Sequence, residues 1–502
     1  MAGGPGLLDA DGDGKLDLFQ VRVPPPGEEA ITSRLFLQRE GEGFADVSAE
    51  AGLGAHAGYG QGLAVGDVEN DGDADVYVTN LGPDFLFLND GAARFEERSA
   101  AAGLSGELWS TAATFLDHDA DGDLDLFVVH YLAFDETKAC FAPSSRRDYC
   151  GPQSFQGVGD RLWENRGDGT FVDATVAAGM VLPDGGARAK GLGLLACDFS
   201  GDGFTDVFVA NDGESNQLWV NRGDGTFAEE GILRGVAVSG TGQPEASMGV
   251  TGGDLDRDGR LDLFMTHLYK ENNRLYMGTG GPLLKDASRR SGLSGRDLEY
   301  TGFGCGFLDV DNDGNLDLAV ANGAINARVR QRSVLPGAPE GFWGLYAEPN
   351  QLYLNAGGGR MNEVDGGRFT ARVEVSRGLA WGDVDGDGAL DVVLSNVDNR
   401  LRLYLNRAAG EARSFFVRAL EGPRDALGAG VRLVTSEGER VAAVVPASSY
   451  LSSVSPRVHF GLGKTAVVEE VVVHWVDGSR EAFPVATDAR EVTVTKGTGE
   501  RR

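Results

Sequence analysis

Thiols and imidazoles are scarce, with four cysteines and six histidines in 502 residues. No Cys/His spacing suggests zinc, and so few cysteines exclude a disulfide-dense scaffold. No apolar run approaches the roughly 20 residues that a membrane-spanning helix needs. Basic residues are outnumbered, 45 Lys and Arg against 76 Asp and Glu, for a net charge of −31. That balance argues against nucleic acid and against anionic membrane surfaces as partners. No Ser-His-Asp order, phosphate loop or dinucleotide fingerprint is evident, and no long helical period runs through the chain. The first residues, Met1 to Gly6, lack the basic start and apolar stretch of a signal peptide.

Glycine, in contrast, is abundant at 75 residues beside an ordinary 41 % hydrophobic content, which describes a turn-rich globular protein. The acid falls in short recurring clusters. The pattern D-x-[DES]-x-D-G-x-x-D occurs seven times, starting at Asp9, Asp67, Asp117, Asp198, Asp254, Asp309 and Asp383. Each copy lies between two apolar stretches of strand length. A second element, Leu-aromatic-x-Asn-x-Gly, follows, as at Leu86, Leu162, Leu218 and Leu352. Asn, Gly and Asp supply the positive-φ positions of tight turns, so this element reads as a hairpin. Each unit is then strand, acidic loop, strand, connection, strand, turn, strand. Repeated seven times, the unit describes an all-β, seven-bladed β-propeller.

The loops have the chemistry of a hard cation such as Ca²⁺, which takes six to eight oxygens. Side chains at positions 1, 3, 5 and 9 and the carbonyl of position 7 can converge on one point, with Gly at 6 making the turn. The first loop offers Asp9, Asp11, Asp13 and Asp17 with the Lys15 carbonyl. The second offers Asp67, Glu69, Asp71 and Asp75 with Asp73. The third has Asp117, Asp119, Asp121 and Asp125 with Asp123, and the fourth Asp198, Ser200, Asp202 and Asp206 with Phe204. The fifth has Asp254, Asp256, Asp258 and Asp262 with Arg260. The sixth has Asp309, Asp311, Asp313 and Asp317 with Asn315, and the seventh Asp383, Asp385, Asp387 and Asp391 with Ala389. An EF-hand is excluded, because position 12 is never Glu and strands flank each loop. Solvated acidic turns are the alternative, but so many carboxylates in one tight loop repel without a cation. Up to seven structural Ca²⁺ are expected, coupling metal binding to folding.

These loops resemble FG-GAP/VCBS repeats, the calcium loops also found in integrin α-subunit propellers. The C-terminal segment resembles the ASPIC/UnbV domain through Ala429-Gly430-Val431, Tyr450-Leu451-Ser452, His459-Phe460-Gly461-Leu462-Gly463 and Trp475-Val476-Asp477-Gly478. Gly430 and Val476 depart from the family pattern, which has Arg and Pro there. The pairing resembles the cartilage acidic protein family and its bacterial relatives. It implies a propeller over 1–412 and a small β domain over 413–502. It also implies a secreted or periplasmic location, with a cytoplasmic member as the alternative, and a leader and one strand missing before the first loop. Cys140 and Cys150 lie in a connection whose form resembles the family's Cys…Tyr-Cys-Gly-Pro loop, which favours a local disulfide over free thiols. Cys197 and Cys305 fall in apolar strands and read as buried small residues.

In a four-stranded meander the two large insertions, about 130–161 and 323–351, leave from the face opposite the acidic loops. A protein, glycan or small-molecule ligand is expected there. The second strands end on that face at Arg22, Asn80, His130, Asn211, His267, Asn322 and Asn396, either capping local backbone or forming a polar ring with Asp212, Lys190, Arg377 and Trp343. Two functions follow. The first is a non-enzymatic recognition or adhesion module. The second is an enzyme of secondary metabolism, as the UnbV resemblance implies through enediyne biosynthesis, with His130, His267, Lys190 and Asp212 supplying acid–base groups.

Overall fold

Each acidic loop reverses the chain between the first two strands of one antiparallel sheet. In the computed structural model, which describes residues 3–24, 33–41, 43–56, 58–104, 106–141, 147–148, 150–183, 185, 189–326, 334–486 and 488–502, seven such sheets follow one another. The innermost strands are Pro5–Leu8, Gly60–Gly66, Ser110–Leu116, Gly191–Cys197, Val250–Gly253, Gly302–Leu308 and Ser376–Gly382. They are buried almost throughout, because each lies edge to axis between neighbouring sheets and has no solvent side. Each contacts the next in order, and the strand at Ser376–Gly382 returns to Pro5–Leu8. This is the propeller arrangement expected from the repeat.

The first sheet holds four strands of its own, Pro5–Leu8, Asp17–Val21, Ser33–Arg39 and Gly43–Asp46, so the strand expected to be missing there is present. The incomplete sheet is the seventh. Among the described residues it has only Ser376–Gly382, Asp391–Asn396 and Leu401–Tyr404. The segment that would add a fourth strand, Arg413–Glu421, leaves for the C-terminal domain. There it pairs with Val458–Gly463 and runs parallel to Glu491–Thr495. A second sheet built on Gly430–Thr435, Gly438–Ala443, Val468–His474 and Arg480–Pro484 packs on it, around buried Phe415, Val431, Phe460, Val473 and Trp475.

One hairpin of this domain goes elsewhere. Ala447–Ser448 and Ser452–Ser453 extend the first sheet on its axial side, with Gly6 opposite Ser453 in parallel. Ser449 exchanges backbone hydrogen bonds of 2.9 and 2.6 Å with Val250 of the fifth sheet. The Cys305 N–H of the sixth donates to Ser449 Oγ at 3.0 Å. Glycine at position 4 makes room for the passage, since a Cβ there would lie 1.5 Å from the Leu451 carbonyl oxygen. Tyr450, 1 % exposed, packs edge-on to Phe303 at 4.9 Å. The hairpin fills the axis of the ring.

The insertions occupy 131–160 and 323–350, on the end of each sheet away from its loop. Residues 142–146 and 149 of the cysteine connection, and 327–333 of the other, lie outside the described residues. Cys140 and Cys150 form a disulfide, and Cys197 and Cys305 are buried free thiols.

Candidate metal centre

Every loop closes by the same hydrogen bonds. The first Asp accepts the N–H of the glycine at position 6 on Oδ2, at 2.7–3.1 Å in all seven. The fifth-position Asp accepts the N–H of position 7 on Oδ1, at 2.7–3.1 Å. The glycines at position 6 sit at φ between 84° and 100°, where a Cβ is strained. Position 4 is also left-handed in every copy, at Gly12, Asn70, Ala120, Gly201, Arg257, Asn312 and Gly386. The two successive reversals aim the side chains of positions 1, 3 and 5 at one point.

The ninth-position Asp residues, all buried, have a second task. Their Oδ1 atoms accept an N–H at the end of the sheet's third strand, from Gln38, Asn89, Asn165, Asn221, Gly278, Asn355 and Asn406, at 2.7–2.9 Å. Their Oδ2 atoms accept from position 2 of the loop, or from position 3 in the fourth loop, at 2.8–3.0 Å. These carboxylates clamp loop to sheet. Burial still pushes Asp75, Asp206 and Asp262 up to about 8, and Asp309 at position 1 likewise, against those bonds.

The recurrent Asn of the hairpin element, expected as a turn residue, joins sheets. Its amide donates to the position-2 carbonyl of the preceding sheet's loop: Asn89 to Ala10, Asn165 to Val68, Asn221 to His118, Asn355 to Leu255 and Asn406 to Val310. In the first sheet Gln38 does this to Val384 of the last loop, at 3.1 Å. Gly278 in the fifth has no side-chain amide to offer. Six of the seven junctions between neighbouring sheets thus carry a side-chain link to the preceding loop.

The donor set fits a hard cation. It is carboxylate and carbonyl oxygen, and buried Oδ1 atoms of Asp9, Asp11, Asp256 and Asp383 have no hydrogen-bond partner. Ligand atoms of Asp9, Asp11 and Asp13, of Asp254, Asp256 and Asp262, and of Asp309, Asp311 and Asp317 lie within 4.8 Å of one another. The loops are not equal. In the third, Asp117 also accepts from fully buried Arg424 of the C-terminal domain at 3.3 Å, and His118 Nδ1 lies 2.5 Å from Asp125. In the fourth, Ser200 stands at position 3, and Asp198 Oδ1 already accepts from the Ser200 hydroxyl and two N–H groups. In the seventh, Arg407 donates to Asp385 and Asp387 at 2.6 Å. The C-terminal domain rests on this face, where Gly463 donates to the Asn312 carbonyl and Ser414 to that of Gly388.

At the opposite ends of the strands, Asn80, Asn211, Asn322 and Asn396 are buried and donate to nearby carbonyls, which is the capping role. His130 and His267 are buried and held neutral, their pKa pushed down by burial to about 3. The Lys190 ammonium pairs with Glu214 at 3.0 Å, and Asp212 accepts the Tyr131 hydroxyl at 2.6 Å. Among the described residues no side-chain hydrogen bond joins any two of His130, His267, Lys190 and Asp212, and only the backbone links a pair, the Asp212 N–H donating to the Lys190 carbonyl at 2.9 Å. Arg377 is buried against the Phe303 ring and donates to the Gly323 carbonyl. Beyond them the insertions expose aromatic surface. Phe342, Trp343 and Tyr346 form one cluster with ring centroids 4.9–5.9 Å apart, and Phe342 is 67 % exposed. Phe134 and Phe141 are exposed on the other insertion.

A family model described as FG-GAP-like repeat matches residues 9–78, 67–128, 198–265 and 254–320, and one described as ASPIC and UnbV matches 420–501. The chain joins FG-GAP-like repeats to a C-terminal ASPIC and UnbV domain. It is similar to cartilage acidic protein 1 of Homo sapiens, 26 % identical over 453 residues that cover 83 % of this chain and 62 % of that one. The Xenopus tropicalis protein is 24 % identical over 480 residues, covering 87 % and 66 %. The FG-GAP chain therefore spans somewhat under two thirds of the length of these curated relatives. Among solved structures, the BP39L lectin of Burkholderia pseudomallei aligns over 82 % of this chain and 97 % of its own, at 13 % identity and a TM-score of 0.47. An Agrocybe aegerita protein whose structure concerns recognition of non-reducing terminal N-acetylglucosamine aligns over 81 % and 95 %, at 15 % identity and a TM-score of 0.44. No helix among the described residues is long and apolar enough to cross a membrane.

Proposed function

We propose that this FG-GAP and ASPIC/UnbV chain is a calcium-stabilised, seven-bladed recognition module that works outside the cytoplasm, with its ligand surface on the face opposite the loops. The exposed aromatic cluster of Phe342, Trp343 and Tyr346 carries the recognition part of this reading. Large aromatic side chains left in water on an insertion are unfavourable unless something covers them, and they suit a sugar or peptide partner. The axis behind them is filled by the protein's own hairpin, so binding takes place on the rim rather than in a deep funnel. Lys190 and Asp212, the groups an enzyme of this architecture would draw on, are tied to Glu214 and Tyr131.

Calcium belongs chiefly in the first, second, fifth and sixth loops, where no arginine bridges two carboxylates as Arg407 does and none is buried in the loop as Arg424 is. Arg39 and Arg260 each reach a single carboxylate, Asp11 at 3.4 Å and Asp258 at 2.6 Å. The ions hold positions 1, 3 and 5 together against mutual repulsion, with the carbonyl of position 7. Metal content per chain, with thermal unfolding in calcium and then in excess EGTA, tests this half. Each site filled to about a thousand times its Kd stabilises by about 4 kcal/mol, so chelation should lower the melting temperature by many degrees. No bound calcium and an unchanged melting curve would sink the calcium reading. Trp343→Ala with Phe342→Ala, screened on glycan and peptide arrays beside the wild type, tests the other half. Binding that survives the double substitution would place recognition elsewhere.

A further inference from the structure

Six of the seven loop-bearing sheets end in a fourth strand of one chemistry. It carries an apolar residue at or next to its start and places an acid two positions on: Phe44 and Asp46, Phe95 and Glu97, Phe171 and Asp173, Phe227 and Glu229, Leu284 and Asp286, Met361 and Glu363. The acid lies opposite the aromatic residue of the third strand, as Asp173 lies opposite Trp163 and Asp286 opposite Tyr276. Where the third strand carries Arg two positions before its aromatic residue, that Arg pairs with the acid: Arg34 with Asp46 at 3.4 Å, Arg161 with Asp173 at 2.7 Å and Arg274 with Asp286 at 3.3 Å.

The seventh sheet keeps such a third strand, Arg402-Leu403-Tyr404-Leu405-Asn406, and has no fourth among the described residues. The comparison with the fifth sheet is close. Arg274 grips Glu245 through Nε and Nη2 at 2.7 and 2.5 Å and gives Nη1 to Asp286. Arg402 grips Glu374 through Nε and Nη2 at 3.1 and 2.5 Å, and its Nη1 meets no acid among the described residues. Beside the open edge runs a groove of about 730 Å³ lined by Leu352, Leu354, Val364, Phe369, Leu403 and Leu405. Leu405 is 46 % exposed, and the buried Tyr404 hydroxyl has no partner. An open edge beside apolar surface is a template for strand addition.

We propose that the edge at Leu401–Tyr404 is a docking site for one extended strand of a partner polypeptide, apolar at its first position and acidic at its third. The strand adds antiparallel, its apolar residue opposite Asn406 and its acid opposite Tyr404, within reach of Arg402. Main-chain hydrogen bonds supply affinity, while the groove and Arg402 supply selectivity. Continuity with the six filled sheets of this same chain defines the occupant.

The test uses the full chain, loaded with calcium, and a fluorescein-labelled peptide Gly-Thr-Phe-Val-Asp-Ala-Thr, the sequence of residues 169–175. Fluorescence anisotropy should show saturable binding. Replacing the peptide Asp by Lys should weaken it about tenfold, since a favourable cross-strand charge pair becomes an unfavourable one. Arg402→Gln should remove that discrimination, and Leu405→Glu should abolish binding while the melting temperature stays near wild type. Absence of saturable binding at millimolar peptide would overturn the proposal. So would binding indifferent to both substitutions, or a self-association that Leu405→Glu abolishes without any peptide binding.

Discussion

Tyr450→Ala should destabilise the whole molecule, although the residue belongs by chain order to the small C-terminal domain. Its ring lies on the axis of the propeller, 1 % exposed and edge-on to Phe303, whose ring also meets the Arg377 guanidinium at 3.9 Å. Truncating a buried aromatic side chain to alanine costs about 3–5 kcal/mol, with the larger values where the surroundings cannot collapse. Collapse is obstructed here. The neighbouring backbone is fixed by the Ser449 bonds to Val250 and Cys305, and the strands around it are held by their own sheets. A value near the upper end, about 4–5 kcal/mol, is therefore expected. Urea unfolding at saturating calcium, followed by near-ultraviolet circular dichroism, measures it. Hydrogen exchange at the Val250 and Cys305 amides shows where the loosening falls. Val467→Ala, at a 42 % exposed position of the same domain, is the control and should change stability by less than about 0.5 kcal/mol. A loss under about 1 kcal/mol for Tyr450→Ala would refute the reasoning. A split transition, with the propeller unfolding at its usual midpoint, would refute it equally.

The asparagine staples and the buried histidines give two more expectations. Asn165 donates to the Val68 and Leu124 carbonyls at 3.0 and 3.1 Å, so Asn165→Ala leaves two buried acceptors unserved and should cost about 2–3 kcal/mol in urea unfolding. His130 and His267 are held near 3, below the ordinary 6.5, so the unfolded chain takes up their protons first as pH falls. Their contribution is whole above pH 6.5 and is lost as pH falls toward 3, at up to about 1.4 kcal/mol per pH unit for each. Asp84 and Asp160, pushed up by burial to about 7, act in the opposite sense between pH 4 and 7. The readout is therefore the difference between wild type and the His130→Asn, His267→Asn double variant across that range, and a difference independent of pH would contradict the assignment.

Composition and spacing carried the repeat, the strand order and the converging oxygens, because those are local matters of side chain and turn. The left-handed fourth position was half visible. Gly12, Asn70, Gly201, Asn312 and Gly386 suit positive φ, whereas Ala120 and Arg257 give no hint of it. The doubled task of the ninth aspartate was invisible, since its third-strand partners are amides 14 to 40 residues away, as with Asn89 and Asn165. The same holds for Arg424, whose place in the third loop spans 307 residues of sequence.

The axial hairpin shows best why the remainder could not be read. Tyr450-Leu451-Ser452 looks like part of an ordinary β domain, and its strands are only two residues long. Nothing local sends it to the axis. Ser449 and Leu451 take positive φ, 72° and 57°, a conformation that costs leucine about 1 kcal/mol and is held only by what surrounds it. What surrounds it is legible in retrospect. Gly4, Gly62 and Gly378 lie on three sheets, and a Cβ at each would press against residues 450 to 452. Inner strands that repeat glycine where their neighbours carry aliphatic side chains mark the course of a guest chain. Substituting these glycines tests the hairpin's path without touching the hairpin itself.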